Sequence, residues 1–114
     1  MPPVPELTIE QNGELMKESY LLVATDGSIR RVDSEGPIRE ADIRNQVGGD
    51  FETWVWRSEF TCCSYKGAVQ SDWVANLKFK NKYRNVLLGI HERGVLRGLK
   101  EAEYSILESQ IEAL

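Results

Sequence analysis

Tyr20-Leu21-Leu22-Val23-Ala24-Thr25-Asp26-Gly27-Ser28-Ile29-Arg30-Arg31-Val32-Asp33 is the stretch on which the architecture turns. Its first six residues are β-prone and nearly all apolar, the composition of a central strand. Asp26-Gly27 is a tight-turn pair, and Ser28–Asp33 reads as the returning strand. A turn this short has no room for a parallel crossover, so the pair is antiparallel.

Downstream, Ser34-Glu35-Gly36-Pro37 breaks the strand pattern. Pro37 suits the first turn of a helix, where its missing N–H costs nothing. Ile38, Ala41, Ile43 and Val47 supply an apolar face, and Gly48-Gly49 ends the helix in the left-handed cap conformation. Phe51-Glu52-Thr53-Trp54-Val55-Trp56-Arg57 predicts a third strand with apolar bulk on both sides. Residues 60–76 carry no decisive period: Lys66-Gly67 marks a turn, and Ala68, Trp73 and Val74 belong to a short helix or a loop. Asn85–Glu92 reads as a buried strand, Arg93-Gly94 as a turn and Val95-Leu96-Arg97 as a short return. From Leu99 to Leu114 there is no Gly or Pro. Tyr104, Leu107, Ile111 and Leu114 form one helical stripe, broadened by Ala102 and Ile106. Upstream, Pro2, Pro3 and Pro5 make residues 1–6 a loose tail, and Asn12-Gly13 lies between two short β-prone runs that suit a peripheral hairpin. The element order predicts one α+β domain over residues 7–114, a mainly antiparallel sheet with helices packed on one face.

The chain has 114 residues, 41% hydrophobic and 28% charged, with a net charge of −4. These values exclude collagen-like, mucin-like and wholly disordered chains, and they exclude a protein that coats polyanions with its whole surface. The two cysteines, Cys62 and Cys63, are adjacent and cannot staple a fold. With no secretory-type opening and no apolar run near membrane-spanning length, the expected location is the cytoplasm, without membrane association.

Three stretches carry a family likeness: Ala24-Thr25-Asp26-Gly27, Val47-Gly48-Gly49-Asp50-Phe51-Glu52, and Val86 to Leu99, which ends Glu92-Arg93-Gly94-Val95-Leu96-Arg97-Gly98-Leu99. They resemble a family of small uncharacterised proteins carried by phages and plasmids. That family shows a Val-Gly-Gly-aromatic-x-Glu stretch followed later by Glu-x-Gly-x-Leu-x-Gly-Leu. The resemblance implies an origin in a mobile element and brings no established activity with it.

The chemistry-bearing residues are few. His91 is the single histidine, so any Ser-His-Asp or Cys-His site would have to use it; within a β-prone run a structural part is the simpler assignment. Cys62-Cys63 lacks the Cys-x₂-Cys spacing of zinc sites, and one histidine with two cysteines cannot complete a four-ligand Cys/His set. Asp50, Glu52, Glu59 and Asp72 are acid–base candidates only if the fold brings them together. Gly48-Gly49, Gly94 and Gly98 do not form a phosphate-cradling Gly-x-Gly-x-x-Gly or Walker pattern. We therefore expect no catalytic, cofactor-binding or metal-binding residue and no cofactor. A small hydrolase or transferase ranks third among the functional readings.

Charge is distributed unevenly. Residues 78–100 hold seven cations and one anion, Glu92, whereas residues 101–114 hold four acids and no base. In Lys78-Phe79-Lys80-Asn81-Lys82-Tyr83-Arg84 the alternation places four cations on one face of an extended segment and the aromatics on the other. Lys78, Lys80, Lys82, Tyr83, Arg84, Arg93 and Arg97 are thus candidates for nucleic-acid or partner binding; the competing assignment turns Phe79 and Tyr83 into the core and leaves the cations solvated. Tyr104, Leu107, Ile111 and Leu114 either cover the sheet or form a dimer or partner interface. Of Trp54, Trp56 and Trp73, two are expected in the core. The leading expectation is a non-enzymatic interaction protein of phage, plasmid or prophage origin. It would bind a host protein, inhibiting a defence or regulatory factor, or associate with itself as a homodimer. The alternative is a nucleic-acid binder using segment 78–100.

Overall fold

The structure, a computed structural model, describes residues 17–114. The expected tail over residues 1–6 and the Asn12-Gly13 hairpin lie outside the described residues.

β1 (Lys17–Val23) and β2 (Ile29–Glu35) form the expected hairpin, in register from Val23↔Ile29 to Lys17↔Glu35. Gly27, at φ +88°, donates to the Ala24 carbonyl, and the Asp26 carboxylate accepts from the Ser28 N–H and hydroxyl. Helix α1 (Glu40–Val47) follows, then β3 (Phe51–Trp56), β4 (Phe60–Tyr65), β5 (Val86–Glu92), β6 (Val95–Arg97) and helix α2 (Glu101–Glu112). The sheet order is β2-β1-β5-β4-β3, antiparallel throughout, with β6 pairing with the far end of β5. The fold is α+β.

β1 pairs with Val86–Leu88 of β5 and then gives way to β6, which pairs with Ile90–Glu92. The chain after β6 comes back against β1, where the Leu99 N–H donates to the Ser19 carbonyl at 2.7 Å. A Cβ on Gly98 would stand 2.6 Å from the Ser19 nitrogen, so this approach needs glycine.

The helices do not share a face, which corrects the expected one-sided arrangement. Leu21, Val23, Cys62, Val86 and Leu88 pack with Leu99, Tyr104, Leu107 and Ile111 on the α2 side. Their strand neighbours Tyr20, Leu22, Cys63 and Leu87 pack with Ile38, Ile43 and Val47 on the α1 side. The cause is the unbroken apolar run in β1 and β5. Successive strand residues point to opposite faces, so such a run leaves both faces needing cover.

Two segments depart from the sequence expectation. β4, Phe60-Thr61-Cys62-Cys63-Ser64-Tyr65, is buried at all but its last residue. Lys78–Arg84 is not a strand; it lies in a long connection, residues 66–85, with one isolated bridge, Ala75↔Tyr83. Asn76 organises this connection. Fully buried, its side-chain amide donates to the carbonyls of Val23, Ala24 and Arg84, and its oxygen accepts from the N–H groups of Lys78 and Phe79. No helix among the described residues is long and apolar enough to cross a membrane.

Candidate protein-binding edge and groove

Five-strand order leaves two outer edges, and they differ in chemistry. β2 carries Arg30, Arg31, Asp33 and Glu35 among its seven residues. β3 carries one charge, Glu52, whose carboxylate already meets Lys82 Nζ at 3.0 Å. Charged edges resist adding another strand; an uncharged apolar edge invites one.

The backbone direction along β3 follows from its ladder. Lys66 N–H donates to the Asp50 carbonyl at 3.0 Å, one step before the Phe51↔Tyr65 pair. Bonded residues alternate along an antiparallel pair, so Glu52, Trp54 and Trp56 bond inward to β4. Phe51, Thr53 and Val55 therefore turn their N–H and C=O groups outward. Among the described residues no strand pairs with that edge.

The side chains of the same three residues face the α1 side of the sheet. Helix α1 is only eight residues long and leaves part of this face open. The result is a groove of about 480 Å³. Ile38 and Ile43 form one wall, Thr53, Val55, Thr61 and Cys63 the floor, and His91, Val95 and Leu96 the far side. Val55 is 66% exposed and Val95 46%, both apolar and uncovered among the described residues. The opposite face of β3 is closed. Trp54 Nε1 donates to Ser64 Oγ at 2.9 Å, and Phe79 meets the Trp54 and Trp56 rings edge-on. Trp54 and Trp56 thus join the core margin, while Trp73 stacks on Arg84 at 4.0 Å.

Four cations of segment 78–100 are engaged by separate partners within the fold. Lys78 Nζ reaches the Glu112 carbonyl at the C-terminus of α2, and Arg84 donates to the Gly48 carbonyl at the C-terminus of α1. Both are places where a cation offsets the helix dipole. Lys82 lies over Trp54 and pairs with Glu52. Arg97 pairs with Glu103 at 2.9 Å and Glu92 at 3.2 Å. Tyr83 is half-buried in its bridge with Ala75. Lys80 and Arg93 are exposed and make no ion pair among the described residues.

The α2 stripe is likewise committed within the chain. Tyr104, Leu107 and Ile111 are buried against the sheet, and only Leu114 of the four, with Ile106, stays open. An interface through the whole stripe is therefore corrected: three of its four residues are core.

Cys62 and Cys63 project to opposite faces and are both free and buried. Burial pushes both thiols up, Cys63 to about 12, which keeps them protonated and unreactive at neutral pH. His91 is exposed on the groove rim. The Glu103 carboxyl is held below its ordinary value, first by hydrogen bonds from Arg97. The Asp33 carboxyl is lowered likewise, chiefly by the Ser19 hydroxyl. Among the described residues no three His, Cys, Asp or Glu side chains are grouped to hold a metal ion. The sequence reading missed the β3 edge. Its signal was present in the contrast between four charges in Ile29–Glu35 and one in Phe51–Trp56.

Comparison with family models, curated proteins and solved structures finds no match to this chain.

Proposed function

We propose that this chain is a protein-recognition module that takes an extended polypeptide segment along β3. The observation that carries the reading is the outward-facing backbone of Phe51, Thr53 and Val55 beside the open groove. An added strand forms main-chain hydrogen bonds with that edge, and its alternate side chains enter the groove, giving affinity and selectivity from separate sources. The apolar floor favours β-branched or aromatic residues at every second position of the incoming segment. His91 then acts as a rim contact rather than as an acid or base. A mobile-element origin, which the family resemblance implies, makes a host defence or regulatory protein a fitting target.

Selection of extended peptides from a displayed library, followed by amide exchange on the complex, tests this. The expected result is a binder with alternating apolar residues that slows exchange at Phe51, Thr53 and Val55 and is lost in Val55→Lys. A library that yields no binder, or binders that protect amides elsewhere, overturns the reading.

A further inference from the structure

We propose that a second copy of this chain occupies the β3 edge, the two β3 strands meeting antiparallel about a two-fold axis through Thr53. The proposal rests on β3 being the recognition edge and names its partner.

Self-complementarity carries the argument. An antiparallel two-fold axis passes either a residue whose backbone faces outward, Phe51, Thr53 or Val55, or a non-bonded residue between them, Glu52 or Trp54. An axis at Glu52 sets that carboxylate against its own copy, and an axis at Trp54 sets Phe51 against Arg57, where the chain has left the strand. An axis at Phe51 sets Asp50 against Glu52 of the second copy, two carboxylates face to face. An axis at Val55 runs the pairing into Arg57 and Ser58, whose φ values of +56° and +64° turn the chain out of the strand. An axis at Thr53 pairs the whole strand. Phe51 then lies opposite Val55 of the second copy, twice over, on the groove side. Glu52 lies opposite Trp54 of the second copy on the other side, and no like charges meet. Val55, 66% exposed in the single chain, receives an aromatic neighbour.

Closure follows from the same geometry. An in-sheet antiparallel two-fold axis stands perpendicular to the sheet, so both grooves open on one side and join across the seam. The joined sheet ends in a β2 strand at each side. Each β2 carries four charges, so assembly stops at two copies.

Light scattering on the full chain across micromolar to submillimolar concentration tests the proposal. The expected mass at the upper end is twice 13.0 kDa. Val55→Lys and Thr53→Pro each raise the dimer dissociation constant at least tenfold; the Thr53 N–H faces outward, so proline there leaves the pairing with β4 intact. Thr53→Cys adds a readout independent of affinity. Paired Cα atoms about 5.5 Å apart fall within disulfide reach, so mild oxidation gives a covalent dimer. Cys62 and Cys63 are buried and stay silent, and Arg30→Cys on the β2 edge gives no covalent dimer under the same oxidation. A wild-type mass that stays at 13.0 kDa throughout, or a dimer that survives both Val55→Lys and Thr53→Pro, overturns self-pairing. If the monomer still binds selected peptides with protection along β3, the recognition edge stands and only the choice of partner falls; if it binds none, both fall.

Discussion

Asn76 shows how much one buried polar side chain can organise. It makes five hydrogen bonds to main-chain groups of Val23, Ala24, Arg84, Lys78 and Phe79. Those bonds tie the long connection to the end of β1 and set Phe79 against Trp54 and Trp56. Removing the amide leaves buried donors and acceptors without partners, each costing about 1–3 kcal/mol. Asn76→Ala should therefore lower the unfolding free energy by about 2–4 kcal/mol in urea titration. It should also speed amide exchange across residues 66–85 more than in β1 or β5. Cys63 makes a second prediction at this scale. Its thiol rises from an ordinary 9.0 to about 12, so between those values the folded chain binds more protons than the unfolded chain. Stability must fall as pH rises from 9.0. Thermal unfolding at increasing alkaline pH should show a smaller loss for Cys63→Ala than for the wild type. Neither role was legible beforehand. An asparagine in an irregular stretch carries no local mark of burial, and two adjacent cysteines look alike until a strand sends them to opposite faces.

Among the elements, those with a strong local period were read directly. The β1–β2 hairpin, β3, the β5–β6 hairpin and α2 lie where pattern and turn chemistry put them, and α1 ends at Gly48 as expected but starts at Glu40, with Pro37 ahead of its first turn. β4 escaped because Phe60-Thr61-Cys62-Cys63-Ser64-Tyr65 lacks both alternation and a purely apolar run, and its burial comes from β3 and β5 on either side. Lys78–Arg84 failed in the opposite sense. Its alternation is real, but Lys78 and Arg84 serve the C-termini of two different helices and Lys82 serves Glu52. On α2, Leu107 is fully buried against the sheet. Leu107→Ala should cost about 2–5 kcal/mol without altering assembly through β3, read by denaturation and light scattering together. The same helix is anchored at its start by Glu103, which pairs with Arg97 and accepts from the Lys100 N–H. Because the Glu103 carboxyl lies below its ordinary 4.5 in the fold, the unfolded chain binds more protons as pH falls toward the folded value. The stabilisation is present above pH 4.5 and is lost below it. The stability gap between wild type and Arg97→Ala, about 1 kcal/mol at neutral pH, should close on acidification.

For the whole molecule, charge in sequence is a poor guide to charge on a surface. Segment 78–100 has seven cations, yet Lys78, Lys82, Arg84 and Arg97 are each drawn into contacts with separate partners within the fold. Affinity for single- or double-stranded DNA and RNA should accordingly be weak, and Lys80→Glu with Lys82→Glu should change its salt slope little in an anisotropy titration. Steep salt dependence abolished by that double substitution would restore the nucleic-acid reading. The antiparallel pairing, the turns and the positions of both helices were already written in local pattern: apolar period, Asp-Gly and Arg-Gly turns, Pro before a helix and Gly after it. These are short-range preferences, and each acts through residues a few positions apart. Which face each helix covers, which strand ends on the outside and which cations find a partner are long-range matters. They depend on side chains tens of residues apart competing for the same space, and no local pattern records that competition. The open edge at Thr53 belongs to this second class, since a strand becomes an edge only through the order of its neighbours.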